Sequence, residues 1–412
     1  MKFRLLIFVV LPLIFNINNA FGAKFVQLDE QQIANVKASI KNAKASSETL
    51  NAYQALIKKA NLLLEVKAFS VTHKTIPTKN PHDYVSISRY WWPDTSKKNG
   101  LPWLRRDGET NPDTQTDMVD RVRIGAMTNA VKNLSYAYYF SGNEAYAKKG
   151  TELIRVWFLN KEARMNPHLN FAQIVPGNDK KRRSGILDGR LIPLWVLDSI
   201  VIFSESKYWS DADHTKMNAW LSDYLKWLSR SSLGRDGAKQ TNNHGSWYQF
   251  QLTALAWYLG DTKTLKRELK RTKILMAKQL DKQGAQKYEL KRTKSFFYSC
   301  FNLDAITRIA IIADKAGNSL WDYPSAEKSE LFQAINYLMP VAQGKPWPHP
   351  TKGVNLNHFI LVLDRYADKT GSEEHKALLK RLLDQSKLNA SSEKGGAAIY
   401  NAFALFKPDA LE

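Results

Sequence analysis

The chain has 412 residues, with 60 Lys and Arg against 39 Asp and Glu, for a formal net charge of +21. Its one cysteine, Cys300, excludes a disulfide framework, and no HExxH or paired CxxC spacing marks a zinc site. A field this positive attracts polyanions, whether nucleic acid, anionic membrane or acidic polysaccharide; a basic protein with no polyanion partner is the plainer reading.

Residues 1–22 read as a signal peptide: Lys2 and Arg4, an apolar run from Leu5 to Phe15, then small residues at Ala20 and Gly22. That run is shorter than the roughly 20 residues a membrane span needs, so no stable span is expected once the leader is cleaved. Export to the periplasm, or secretion, counts against nucleic acid, and no RNA-binding, zinc-finger or helix-turn-helix signature is present. Residues 23–412 read as one domain, because no linker splits them.

Apolar residues at three-to-four spacing predict helices over residues 29–64, 117–141, 143–160, 190–205, 211–230, 244–260, 261–282, 295–316, 325–340, 357–370 and 373–386. The breaks hold Gly, Pro, Asn or Asp, as in SGNEA, GDTK and KTGSEE. Sustained alternating strands are few. Helix–loop–helix units repeated this often predict an all-α architecture of about six or seven stacked hairpins. Closed into a ring, these make an α/α toroid with a central groove; without a strict sequence repeat, an open solenoid is the alternative.

Two stretches break the helical pattern. Residues 66–115 are dense in Pro, aromatics and charge, and residues 161–189 contain NPHLNFAQIVPG. Loops this long in a compact domain are functional or disordered. Tyr90, Trp91, Trp92 and Trp103 are costly to leave in water, so residues 66–115 are expected to form a lid or substrate loop. There the aromatics stand beside Arg89, Arg105 and Arg106, a set suited to stacking on sugar rings and gripping carboxylates; packing onto the barrel is the other reading. Asn166, Asn170 and Gln173 either bind hydroxyl groups or brace their own loop, and Arg190 either binds ligand or pairs inside the barrel.

Two sites carry denser chemistry. In QTNNHGSWY, residues 240–248, Thr241, Asn242 or Asn243 caps a helix, and His244 adds a titratable group at its positive end, which favours anions. Asn242 and Trp247, on either side, are further candidate substrate contacts. In LKRTKSFFYSCFN, residues 290–302, Tyr298 and Asn302 share a helix face, and Arg292 precedes them on the loop. A cation beside a phenol favours phenolate, so Arg292 is expected to draw the Tyr298 pKa below its usual value of about 10; a core tyrosine and a surface arginine are the plainer reading. His349 and His358 read as structural.

NNHGSWY, RTKSFFYSCFNLDA, HDYVSISRYWWPD with LPWLRRDGETNPD, and MNPHLNFAQIVPG together resemble the alginate-lyase-like superfamily of polysaccharide lyases. Asn243, His244, Arg292 and Tyr298 look like the catalytic set of the family 5 alginate lyases, although the arginine-to-tyrosine interval is one residue shorter here. The overall spacing looks closer to polysaccharide lyase family 38. The resemblance implies an α/α toroid, cleavage of an anionic polysaccharide such as alginate by β-elimination, and no metal or other cofactor. It further implies that Asn243 and His244 neutralise a uronate carboxylate while Tyr298 is general base and acid.

The expected enzyme is thus an alginate lyase. Its rivals are a lyase for glucuronan or another polyuronate, and a non-catalytic acidic-glycan-binding protein. A glycoside hydrolase would need two carboxylates across a cleft, for which Asp188 and Asp304 are the candidates.

Overall fold

In the structure, a computed structural model, residues 24–178, 186–325, 328–388 and 396–411 are described. The signal-peptide reading of residues 1–22 lies outside the described residues. Caps set many of the helix boundaries. Asp29 and Ser46 accept the first free amides of α1 (Glu30–Lys41) and α2 (Ser47–Leu64). The predicted 29–64 helix is therefore two helices, parted at Asn42–Ser46, where Ala43 takes a left-handed φ of 55°. Next come α3 (Arg121–Ser141), closed by left-handed Gly142, and α4 (Glu144–Ile154), which runs into a π-turn at Arg155–Leu159.

The predicted 190–205 helix is broken into α6 (Leu191–Trp195) and α7 (Leu197–Phe203), preceded by the single turn α5 (Ile186–Gly189). A capping box of Ser210 and Asp213 starts α8 (Asp211–Arg230), and α9 (Ser232–Ala238) follows. The remaining helices are α10 (Asn243–Tyr258), α11 (Thr262–Gln279), α12 (Ser295–Lys315), α13 (Glu330–Ala342), α14 (Asn357–Thr370), α15 (Glu373–Leu388) and α16 (Gly396–Phe406). Periodicity did not predict α16. Its sequence, GAAIYNAFALF, is apolar nearly all round and offers no polar face to mark a helical period.

The fold is all-α, and its order of packing returns to its start. Helix α2 lies on α3, α3 on α6 and α7, α6 on α10, α10 on α12, α12 on α14, α14 on α15, α15 on α16, and α16 on α2. Helices α4, α8, α11 and α13 back this circuit from their hairpin partners. The core is continuous around it, with Trp157, Trp247, Trp321, Phe203 and Phe250 fully enclosed. Each such side chain contributes about 1.5–3 kcal/mol on leaving water. Helix α12 is long and apolar enough to cross a membrane, yet most of it is buried inside this core.

The long loops are tied down by four short strands. Strand β1 (Val85–Ile87) pairs in parallel with β4 (Phe171–Ile174), Val85 opposite Phe171; β2 (Trp91–Trp92) pairs antiparallel with β3 (Leu104–Arg105), Trp91 opposite Arg105. Val85, Ile87 and Val119 form a small core of their own beneath Trp103 and Phe171. This pairing fixes the 66–115 loop beside the starts of α10 and α12. The starts of α10, α12 and α14 share one mouth, because Asn243, Tyr298 and His358 line the same cavity.

Candidate active site

That cavity encloses about 330 Å³. Its wall carries five arginines, Arg89, Arg105, Arg121, Arg190 and Arg292, with Asn242, Asn243, His244, Tyr90, Tyr298 and Gln173. All four residues expected to be catalytic thus converge on one space, with six of those expected to contact substrate.

Backbone geometry places the first group. Asn242 is the N-cap of α10, and its side chain accepts from the His244 amide at 3.0 Å. Gly245 is required behind it: a Cβ there would sit 2.0 Å from the Gln240 carbonyl oxygen. Asn243 is 1 % exposed and is held by Glu289, which accepts from its backbone N–H at 2.6 Å and from Nδ2 at 2.8 Å. His244 is half-buried and lines the cavity.

The second group comes from the start of α12 and the turn before it. The Arg292 guanidinium lies 3.7 Å from the Tyr298 ring centroid and binds Asp107 through Nε at 3.1 Å and Nη2 at 2.7 Å. Two parallel bonds to one carboxylate fix the plane of the guanidinium. Burial alone would raise the Asp107 carboxyl, but the bonds and charge of Arg292 outweigh it and hold that acid well below its ordinary range. The Tyr298 hydroxyl donates to that of Tyr90 at 2.8 Å.

The expected lowering of the Tyr298 pKa is not the outcome. Burial is the largest effect and pushes the phenol above its ordinary value, while Arg292 draws it only part of the way back. A phenolate in this enclosed wall loses more hydration than one guanidinium returns.

A third group completes the wall. Asp188 is buried and accepts from Tyr84 (3.0 Å), Ser86 (2.6 Å) and Gln173 Nε2 (3.0 Å), with Arg121 Nε at 3.6 Å. Gln173 takes a left-handed φ of 51°, a strained backbone of the kind stored at functional sites. The Arg190 guanidinium stands over Trp247 and Phe301 at 5.6 and 5.5 Å. Burial first, and Arg121 second, work against its charge, so an incoming anion relieves this wall.

Trp91, Trp92, Arg106, Asn166, Asn170 and Trp247, also expected to contact substrate, do not line the cavity. Trp247 is buried beneath Arg190, against Phe250 and Phe301, because it lies a turn deeper than the capping residues. Trp91 and Trp92 are taken up by the β2–β3 hairpin, where Trp92 donates to the Glu109 carbonyl and carries the Arg106 guanidinium at 5.0 Å. Asn166 donates to Asp83 and Asn170 accepts from Trp227, so both brace the 161–178 segment.

The sequence reading missed Arg121 and Glu289, and it took His358 for structural. His358 lies on the cavity wall, edge-on to Phe297 and Phe301 and 3.4 Å from Asp304. His349 bonds Tyr337 instead. Asp304 is engaged by Arg308 and Arg365, and Asp188 by three donors, so neither stands as a free acid or base for hydrolysis.

A mainly helical frame thus encloses an arginine-lined cavity, with a buried phenol beside a guanidinium, a setting that suits an acidic polymer. The sequence matches the alginate lyase family model over residues 70–348, and the chain belongs to that family. It is similar to an alginate lyase from Bacteroides ovatus at 28 % identity, covering 93 % of this chain and 99 % of that one, with a TM-score of 0.82. It also shares its fold with alginate lyase A1-III complexed with a tetrasaccharide, at 14 % identity, covering 83 % of this chain and 88 % of that one, with a TM-score of 0.54. The A1-III structure from Sphingomonas species A1 aligns at 13 % identity over the same shares, with a TM-score of 0.50. No curated protein sequence matches the chain.

Proposed function

We propose that this polysaccharide lyase acts on alginate, with Asn243, His244, Arg292 and Tyr298 as its reacting set. The observation that carries the reading is the meeting of the Tyr298 phenol with Asn243 and His244 on one cavity that also holds five arginines. A polyuronate presents one carboxylate per sugar, which suits such a wall.

The reaction breaks the C5–H and C4–O bonds of a uronate and leaves a C4=C5 double bond. The carboxylate must first be neutralised, so that charge from C5 can spread into it. Donors placed where charge grows are usually the largest single contribution to catalysis. Asn243, His244 and the positive end of α10 meet that need.

Tyr298 then takes the C5 proton as phenolate and returns one to the glycosidic oxygen as phenol. Both atoms lie on one side of the ring in mannuronate, so one side chain serves both steps. In guluronate they lie on opposite sides, and His244 acts as base with Tyr298 as acid. Because burial keeps the resting phenol protonated, its proton must pass to solvent first; the Tyr90 hydroxyl, which accepts from it and lines the cavity, relays it by releasing its own proton to water. Arg292 stabilises the phenolate that remains.

Residues 1–22 belong to the same reading as a leader that exports the enzyme to the periplasm or beyond, where an acidic polysaccharide is met. The test of function uses the purified protein with polymannuronate, polyguluronate and glucuronan, followed by the ultraviolet absorbance of the unsaturated product. Absorbance from the alginate blocks is expected. Absorbance from glucuronan alone moves the substrate to another polyuronate, and reducing ends without absorbance exclude elimination.

A further inference from the structure

Against the start of α10 lies a buried acid that the mechanism above does not use. Glu289 is 1 % exposed, on the turn between α11 and α12. Its backbone N–H donates to the Gln286 carbonyl at 2.8 Å, and its own carbonyl accepts from the Arg292 amide at 3.0 Å. Its carboxyl oxygens take the backbone N–H and the Nδ2 of Asn243. Asn243 Oδ1, by contrast, is buried without a partner. For a side chain that meets a sugar carboxylate, this is the wrong way round: a donor is spent on an acid, and a bare oxygen is left.

We propose that Glu289 is a positioning residue that works in its protonated form, donating its O–H to Asn243 Oδ1 and so freeing the amide N–H groups for the substrate carboxylate. The inference rests on the reading of Asn243 as the carboxylate's partner. An amide turned over about its Cβ–Cγ bond fills the same volume, so the exchange disturbs no packing. Ionised, Glu289 claims an amide proton and leaves an orphan acceptor, which is costly in a buried place. Protonated, it satisfies that oxygen. The backbone N–H of Asn243 keeps its carboxyl partner in either state.

The surroundings favour the proton. Burial is the main cause and lifts the Glu289 acid to about 7; the bonds from Asn243 and the charge of Arg292 oppose it, and Asp107 adds to it. The titratable groups around it are Arg292 on its own turn, Asp107 from the N-terminal loop, His244 beside Asn243 on α10, and Tyr298 on α12. A uronate arriving on the other side of Asn243 adds negative charge and holds the proton on more firmly. The turn carrying Glu289 also carries Arg292, so one short segment aligns both the carboxylate-binding amide and the phenol.

The test is the pH dependence of kcat and KM for wild type, Glu289→Gln and Glu289→Ala on one alginate oligosaccharide. Wild-type KM is expected to rise as pH passes about 7. Glu289→Gln, which always offers a donor and never a charge, keeps its low KM through that range. Glu289→Ala loses the anchor and has a KM that does not vary through this range and lies about tenfold above the low-pH value of wild type, the size of one lost hydrogen bond to a charged or buried group. A KM for Glu289→Gln that climbs with the wild-type midpoint overturns the proposal, as does a Gln variant as impaired as the Ala one. Should either variant fail to fold, the wild type decides alone, since a flat KM between about pH 6 and 9 contradicts a titrating Glu289. A wild type that forms no unsaturated product sinks the functional reading instead, so the two failures are distinct.

Discussion

The guanidinium of Arg292 stands over the Tyr298 ring, 3.7 Å from its centroid, and is pinned there by two bonds to Asp107. The ion pair reaches across 185 residues, from the 66–115 loop to the turn before α12. It therefore sets the position of the charge that a Tyr298 phenolate would need. Arg292→Lys keeps the charge but loses the planar fork. We expect kcat to fall at least about tenfold, from a desolvated cation–π contact of about 2 kcal/mol. Asp107→Asn, measured in parallel, should lower kcat in the same direction by releasing the guanidinium. Unchanged kcat in both variants would show that this contact does not bear on turnover.

From the α5 turn, Asp188 reaches Tyr84 and Ser86 at strand β1, Gln173 in β4 and Arg121 at the start of α3. Removing a buried carboxylate strands its partners, at a cost of about 3–5 kcal/mol. Asp188→Ala should lower the urea midpoint accordingly, and a variant as stable as wild type would argue that the buried cluster is not holding the wall.

Trp247 separates a packing role from a binding one. Truncating a buried aromatic to alanine costs about 3–5 kcal/mol, so Trp247→Ala should be read mainly in thermal unfolding. A folded, normally stable Trp247→Ala with a raised KM alone would return this residue to the substrate-contact set.

Glu289 also predicts how stability depends on pH. Its acid is raised in the folded state, to about 7, so the native protein binds the proton more tightly than the unfolded chain. The stability it contributes is full below the ordinary glutamate range and is lost as pH rises through about 7. Denaturation of wild type and Glu289→Gln at several pH values should show the variant gaining by roughly 1–3 kcal/mol between acid and mildly alkaline pH. Parallel curves would place the titration elsewhere.

Much of this was legible in the sequence, for reasons that differ by residue. Helices α8 and α14 occupy the ranges their apolar spacing predicts, since each shows one buried and one exposed face. The capping residues Asn242–His244 and the Arg292–Tyr298 pair announced themselves because their chemistry is compact in sequence. Glu289 did not. In KYELKR it looks like any surface acid, and only the fold carries it to Asn243, 46 residues away. Arg121 was hidden in the same way, by a helix start whose orientation depends on tertiary packing. Trp247 misled for the opposite reason: its neighbours face the mouth, while it points one turn deeper into the core.

The most direct measurement is the rate of unsaturated product formation by Tyr298→Phe beside wild type, with oligosaccharide affinity measured on both. The account predicts a loss of about 10²–10⁴-fold or more in turnover with affinity retained, because only the hydroxyl that moves the proton is gone. Turnover that survives with a phenyl ring at position 298 contradicts it.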